Sequence, residues 1–598
     1  MRNGRSSRSL TGLATGALLG AALLGVFALG SLAGLTNAAY SLFEWRTRGL
    51  PGRVVIFGLE TTLRTLEALG LNIKDTSKVT EEAIALTELF VASAGIGLLF
   101  FLMTKPEDAG RARNRGLMLG GALGVVMLAA VLRVGGTASL SAVLLDVVWV
   151  LAVFVAWGWA LGRLYQATCG PAAERPAVRS GRDEPAPPHP FAPPRPFGPP
   201  EVDVPVEDVP PMEVPAKTPA AAPATAAAGS PASTAAAAST EAERIDRRHF
   251  LIRMSGLVAT FVVLGAEVAD ILAVEGGPAV APVTKAPIPF PNADSPVKPV
   301  PGTRPEYTPV AEHYRVDIDL TPPSIDAASW RLRISGLVAS PRQLTIGQLR
   351  GDYAKRDQFI TLECISNPVG GPLIGTTLWS GPSFRDVLAT AQPRPGANYA
   401  HMLAQDGFDE VVALSTVQSD PRVILAYDWN GQPLPTAHGF PLRVYIPDLY
   451  GMKQPKWITD IVLVPDFIPG YWVTRGWDKQ AIRRTTSVID TVATSDLQRR
   501  AGRTYVPVGG IADAGSRGIS KVEIQVDGGP WEPAELRQPL SPLTWVIWRY
   551  EWPWQEGEHT FGVRAYDGAG VLQTTTANPT YPSGATGIDT MPASILPQ

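Results

Sequence analysis

The sequence predicts a multi-domain chain: an N-terminal α-helical membrane bundle, then an α+β domain, then a C-terminal all-β sandwich of immunoglobulin-like type. Three observations carry this reading. Four long apolar runs crowd the first 165 residues of a 598-residue chain. A stretch rich in Pro, Ala, Thr and Ser follows, with too little apolar content to bury a core. From His313 onward short strand-like runs alternate with turns and a few helical pieces, and after Thr485 only strand patterns remain. A chain this long should hold several units. The expected boundaries are 1–168 for the membrane region, 169–245 for a disordered cytoplasmic linker and 246–275 for a signal anchor. An extended linker at 276–308, the α+β domain at 309–484 and the sandwich at 485–598 complete the chain.

The first apolar run, Leu10 to Leu35, follows Arg2, Arg5 and Arg8. The others cover Ala83 to Met103, Gly116 to Leu132 and Leu140 to Leu161. Each is long enough, or nearly so, to cross about 30 Å of hydrocarbon as a helix. Val54 to Leu71 carries Glu60, Arg64 and Glu67 at helical spacing, the pattern of an amphipathic helix at the interface or packed on the bundle. Lys105, Arg111, Arg113 and Arg115 fill the second loop, whereas the third carries only Arg133. Positive charge marks the cytoplasmic side, so the N-terminus and the end of the fourth span near Arg163 are expected there.

The linker passes from Pro-rich text such as Pro193-Pro194-Arg195-Pro196, which favours extended conformations, to an Ala-, Thr- and Ser-rich tether. Asp246-Arg247-Arg248-His249-Phe250-Leu251, followed by the apolar stretch Met254 to Val274, then resembles a twin-arginine export signal placed inside the chain. An ordinary transmembrane helix with a basic flank is the alternative. Both put the residues that follow outside the membrane. Left uncleaved, the segment forms a fifth span and anchors the rest of the chain at the outer face of the cell membrane.

Composition narrows the function. With 52 basic and 55 acidic residues and no basic cluster, no nucleic-acid partner is expected. The two cysteines, Cys169 and Cys364, lie in segments of different character, so no disulfide framework or multi-cysteine zinc site is implied. None of the six histidines falls in the first four apolar runs, and neither cysteine does. Those spans are therefore not expected to carry a haem or an iron–sulfur cluster. They are expected to serve as an anchor, a partner-docking surface or a quinone site.

Cys364 sits in Ile360-Thr361-Leu362-Glu363-Cys364-Ile365-Ser366-Asn367-Pro368-Val369-Gly370-Gly371, where a β-type run delivers a thiol to a turn. A lone thiolate is a soft ligand for a metal, although a buried inert cysteine fits the same window. This window resembles the molybdenum-ligand segment of the sulfite oxidase family, Cys-x-Gly/Ser-Asn. Three further windows resemble the family's pterin-binding segments in the same order. They are His313-Tyr314-Arg315-Val316-Asp317, the stretch from Ile424 through His438-Gly439-Phe440-Pro441-Leu442-Arg443-Val444, and Gly451-Met452-Lys453-Gln454-Pro455-Lys456-Trp457. The resemblance covers roughly residues 305 to 598.

The resemblance implies a molybdenum–molybdopterin cofactor with Cys364 as the protein's metal ligand and catalytic residue. It implies cofactor contacts from Tyr314, Arg315, Asn367, His438, Arg443, Lys453, Gln454 and Lys456. Arg443 suits a phosphate because its fork gives two charge-assisted hydrogen bonds. Asn367 suits bracing of the turn that aims the thiolate. Taken singly, Arg443 and Lys456 would be surface ion-pair residues and His438 a turn cap; the order of the four windows argues otherwise. The sequence also departs from the family. Pro368 and Val369 stand where sulfite oxidases carry anion-holding arginines, and Phe408 where they carry a tyrosine near the metal. Asp409 and Glu410, facing the site, would repel sulfite.

The expected function is a membrane-anchored, multi-pass, extracytoplasmic molybdopterin oxidoreductase. It would transfer an oxygen atom on a small-molecule substrate and exchange electrons with an external carrier, a cytochrome or a quinone. The family's C-terminal sandwich often mediates dimers, so a homodimer is expected there. A non-catalytic envelope binding or assembly protein that keeps the fold is the alternative, and a membrane sensor a third.

Overall fold

The computed structural model describes residues 2–50, 54, 55, 57, 58, 61, 65, 73–134, 140–169 and 288–597. The linker, the twin-arginine-like segment and the expected fifth span lie outside these residues, as does most of the amphipathic 54–71 segment.

Among the described residues, five long helices stand in the N-terminal region: α1 (Arg2–Leu32), α2 (Ala38–Gly49), α3 (Ile73–Met103), α4 (Ala109–Val134) and α5 (Leu140–Cys169). Four stretches among the described residues are long and apolar enough to cross a membrane: Arg8–Leu32, Thr80–Met103, Pro106–Val134 and Val143–Cys169. The helices approach closely because small residues line their contacts. A Cβ on Gly16 would lie 2.5 Å from the Ser93 carbonyl, and one on Gly97 would lie 2.5 Å from Gly16 Cα. On the other seam, a Cβ on Gly158 would lie 2.3 Å from the Gly116 carbonyl, and one on Gly162 would lie 2.5 Å from the Ala112 carbonyl. Polar groups bridge the first seam: Trp157 Nε1 donates to Ser93 Oγ at 3.2 Å, and that hydroxyl donates to the Gly16 carbonyl at 2.8 Å.

Helix α2 did not stand out in the sequence. It begins at Asn37, whose side chain accepts the Ala39 N–H, and it ends in the basic pair Arg46 and Arg48. It lies across the bundle between two stronger apolar patterns.

Residues 288–597 form two sheet-rich parts. In the first, β1 (Leu332–Gly336), β2 (Arg342–Leu344), β5 (Tyr399–Ala404), β6 (Asp409–Ala413) and β11 (Ile458–Val464) make a sheet in the order β2-β1-β11-β5-β6. Only β1 and β11 run parallel in it. A second sheet orders β3 (Lys355–Glu363), β4 (Ile374–Pro382), β8 (Asp428–Trp429) and β9 (Gln432–Pro433). The short pair β7 (Ile424–Ala426) and β10 (Arg443–Tyr445) lies beside it. Short helices fill the connections; Ile346–Gly351 starts with a capping box between Thr345 and Gln348. This is the mixed pattern that the alternating text predicted.

After Thr486 the chain is β-rich. Sheet β12-β14-β18-β17 (Thr486–Val492, Arg503–Asp513, Val546–Pro553, Glu535–Leu536) faces sheet β16-β15-β19-β20 (Glu532–Pro533, Ile519–Val526, Gly557–Asp567, Asp589–Ile595). Val506, Trp548, Val522, Phe561 and Val563, drawn from both sheets, share one core. A tight turn at Asp527-Gly528 has both residues at positive φ, as a primed turn requires.

The glycine seams yield a test. Gly158→Leu should separate α4 from α5 and lower the thermal midpoint of the full-length chain in detergent by several degrees. Gly121→Leu, with open space at its Cβ, should leave the midpoint within about a degree.

Candidate functional site

Strand β3 delivers Cys364. Its last five residues, Phe359 to Glu363, are all buried, so the strand has no freedom to slip. The β3–β4 ladder runs to Glu363 opposite Ile374, and Cys364 N–H continues it to the Leu373 carbonyl at 3.0 Å. The chain then turns. Asn367 Oδ1 accepts the Leu373 N–H at 2.8 Å, and its Nδ2 donates to Glu363 at 3.1 Å. A Cβ at Gly371 would lie 2.5 Å from Asn367 Oδ1, so only glycine allows this brace. Cys364 Sγ lies 3.0 Å from Ser366 Oγ. Burial pushes the thiol up, with Ser366 opposing.

Arg443 opens β10 and is 4% exposed. Its Nη1 donates to the His438 carbonyl at 3.0 Å, and its guanidinium sits 4.6 Å from the Trp379 ring centroid. Gly439, at φ 112, makes the turn between the two residues. Arg443 Nε is buried without a partner, and no carboxylate pairs with Arg443 among the described residues. Burial pushes this guanidinium down to about 10. Lys456 Nζ donates to Asp317 at 2.8 Å and to the Ala437 carbonyl at 3.2 Å. Burial pushes it down to about 8, with Asp317 opposing. Burial, then the cations and His313 around it, hold the His438 imidazole well below its usual range and so neutral.

Tyr314 is buried, stacks on the His313 ring at 5.0 Å, and has its phenol held high by burial. Arg315 Nε donates to Asp317 at 2.8 Å. Gln454 donates to the Leu449 carbonyl at 2.7 Å and leaves a buried Oε1 without a partner.

Seven of the residues singled out from the sequence share one cavity of about 440 Å³: Tyr314, Arg315, Cys364, His438, Arg443, Gln454 and Lys456. Asn367 stands behind it, in the turn. Lys453 lies apart from these seven. It does not line the cavity, and its Nζ donates to Glu410 at 2.7 Å with both side chains buried. A buried ammonium needs a carboxylate, and Glu410 is nearer to it than the cavity is. Glu410 is thereby held away from the site, and Asp409 pairs with His401 at 2.9 Å instead of facing it. Pro368 and Val369 do not line the cavity either. Their turn faces the C-terminal sheets, where a Cβ at Gly370 would lie 3.5 Å from Asp589. Phe408 does line the cavity, as the alignment by motif expected.

Sequence reasoning missed three groups. His313 stood in a quoted motif without a role. Asp406, in the turn before Phe408, carried no motif. Phe43, Arg46 and Thr47 of α2 and its C-cap Leu50 also line the cavity, more than 250 positions before His313 and Cys364, and only the fold brings them there.

Comparison with known proteins agrees on the central part of the chain. Residues 319–472 match the family model described as oxidoreductase molybdopterin binding domain. Sulfite oxidase of Gallus gallus is 27% identical over 279 residues, which cover 39% of this chain and 61% of that protein. Nitrate reductase [NAD(P)H] of Hordeum vulgare is 28% identical over 323 residues, 44% of this chain and 36% of that one. The chain thus spans less than two thirds of these relatives. The crystal structure of sulfane dehydrogenase SoxCD from Paracoccus pantotrophus aligns with 46% of this chain and 78% of its own, at TM-score 0.41 and 20% identity.

The site gives a pH test. Burial, and then Asp319, push the Asp406 carboxyl up to about 7 from an ordinary 3.8. In that interval the folded chain keeps a proton that the unfolded chain has lost. The resulting stability is full below about pH 4 and declines as pH rises toward 7. Asp406→Asn should remove this decline. Its thermal midpoint relative to wild type should rise from about pH 4.5 to about pH 7. A constant difference between the two pH values would count against the assignment.

Proposed function

We propose that this chain, whose residues 319–472 belong to the sulfite oxidase and molybdopterin oxidoreductase superfamily, is a membrane-anchored, extracytoplasmic molybdopterin-dependent oxidoreductase. One observation carries the reading: a fully buried arginine without an acid partner, set beside a lone buried cysteine in the same cavity. An unpaired buried cation is costly, and an anionic group in the cavity removes the cost.

The residues fit the cofactor. Arg443 and Lys456 would hold its phosphate, with Arg443 supplying its unpartnered Nε. Neutral His438, Tyr314 and the unpaired Gln454 Oε1 would offer hydrogen bonds to the pterin. Cys364 would be the single protein ligand to the metal, aimed by Asn367 and supported by Ser366. Bound there, molybdenum supplies two-electron chemistry with oxygen-atom transfer.

The remaining lining suits an uncharged substrate better than sulfite. The cations near the mouth are already matched, Arg46 by Glu88 at 2.7 Å and Arg315 by Asp317 at 2.8 Å. Phe408 presents no hydroxyl. The rest of the wall is largely apolar and aromatic, including Met452, Trp472 and Trp477. A sulfoxide or another neutral oxo-compound fits this wall. Electrons would pass to or from a separate cytochrome or a quinone.

The four apolar helices support anchoring in the cell membrane. With positive residues inside, α2 and residues 309–598 fall on the same outer side. Contact between α2 and the later domain supports that orientation: Glu44 accepts the Leu320 N–H at 2.6 Å. The two facing C-terminal sheets support an immunoglobulin-like unit, with a homodimer as its proposed role. A non-catalytic envelope protein would explain the fold but not the uncompensated Arg443.

Purified full-length protein should contain about one molybdenum and one pterin per chain, by metal analysis and pterin fluorescence. Cys364→Ala should abolish turnover, and Arg443→Ala should lower cofactor content several-fold. Metal-free wild type from a host that makes the cofactor would favour the non-catalytic reading. Sulfite should be a poor substrate, with kcat/KM at least about 100-fold below that for an aryl sulfoxide, given the charge-assisted contacts it would lack. Steady-state kinetics with artificial electron donors and acceptors measures this ratio.

A further inference from the structure

Helix α2 belongs to the membrane region, yet it is built into the cavity that holds Cys364. Phe43, Arg46 and Thr47 line that cavity from one face of the helix, at spacing i, i+3 and i+4, and the C-cap residue Leu50 lines it just beyond the helix end. A neighbouring stripe, Glu44 and Arg48, grips the sheet-rich domain. Glu44 accepts the Leu320 N–H at 2.6 Å. Arg48 pairs with Asp319 and donates to the Asp406 carbonyl at 3.2 Å. The domain answers with Arg475, whose Nη2 donates to the Arg48 carbonyl at 3.1 Å.

The other attachments of α2 run to the bundle. Ala38, Ala39 and Ser41 are buried, and Arg46 pairs with Glu88 of α3. The turn that leads into α2 is fixed to α5, since Thr36 N–H donates to Asp146 at 3.3 Å and Trp149 Nε1 donates to the Thr36 carbonyl at 3.2 Å. The helix is therefore held from both sides, and its third face is left to the cavity. Ile84, in the span Thr80–Met103, lines the same cavity, so the cavity reaches the level at which a spanning helix begins.

We propose that α2 is a wall of the substrate route, so that the membrane region selects what reaches Cys364 and favours an uncharged ligand with an apolar body. Phe43 and Leu50 are the specificity-determining residues on this wall. Arg46 adds no net charge to it, because Glu88 matches it. The inference rests on the reading that Cys364 marks the reacting end of the cavity, but its test does not use turnover.

The test measures the route directly. Full-length Cys169→Ser protein, made in a host without the pterin pathway, leaves Cys364 as the sole thiol. Its rate of modification is measured with N-phenylmaleimide and with the same reagent bearing a 4-carboxylate. With Arg443→Ala added, so that the uncompensated cation does not draw the anionic reagent in, the neutral reagent should react at least about tenfold faster. Phe43→Lys and Leu50→Lys should each raise the rate of the anionic reagent at least about fivefold, because a new cation would sit on the route. Phe43→Ala and Leu50→Ala should speed the neutral reagent, and they decide the matter if a lysine variant fails to fold. Arg48→Gln should loosen the wall and bring the two reagents closer together in rate. Variants with wild-type thermal midpoints and unchanged rates for both reagents would overturn the proposal. Metal analysis of protein from a cofactor-competent host decides the oxidoreductase reading separately, so the two can fail independently.

Discussion

The buried guanidinium of Arg483 holds in place the end of the strand that leads into the cysteine turn. Its side chain is 1% exposed, pairs with Asp513 and lies 3.6 Å from Glu363, the residue before Cys364. It also donates to the Thr361 carbonyl of β3 at 3.0 Å. Burial pushes Glu363 upward and the guanidinium opposes it. Removing one partner from such a buried set typically costs about 3–5 kcal/mol, because the others are left uncompensated. The same strand is bonded to the C-terminal part along its length. Thr361 N–H donates to the Leu543 carbonyl at 2.9 Å, and Ser541 Oγ donates to the Phe359 carbonyl at 2.6 Å. The C-terminal sheets are thus a structural support of the cysteine, whatever else they contact.

The cavity is enclosed by three separate parts of the chain with different duties. The turn after β3 presents the thiol. The segment around β10 and Lys456 collects positive charge, only part of which is matched by Asp317. Helix α2 adds an apolar wall. Low polarity around the buried cations strengthens their hold on an anion and makes their vacancy more costly.

Much of the domain order was legible because each part obeys a different local rule. Apolar runs of membrane length, alternating strand text and the Asp527-Gly528 turn need no knowledge of distant residues. The site residues were legible where a motif fixes backbone geometry, as at Cys364, Asn367, Gly439 and Arg443. The pairing of Lys453 with Glu410 was not legible, because the two are 43 residues apart and meet only in the folded chain. The placement of Val369 was not legible for a related reason: a turn residue can point to either side, and packing on the C-terminal sheets decides which. Helix α2 was invisible because it is short, half polar and flanked by stronger signals. Its importance comes from Asp319 and Leu320, about 270 residues away.

Arg443 carries one more consequence. In a chain without its anion, this charge lies against Trp379 with nothing opposite it, and the surrounding segment opens more readily. Proteases act on the open population, so empty chains would be cleared ahead of filled ones. A residue proposed to hold an anion would then also label unfinished molecules for removal, and the cell would need no separate device to tell the two apart.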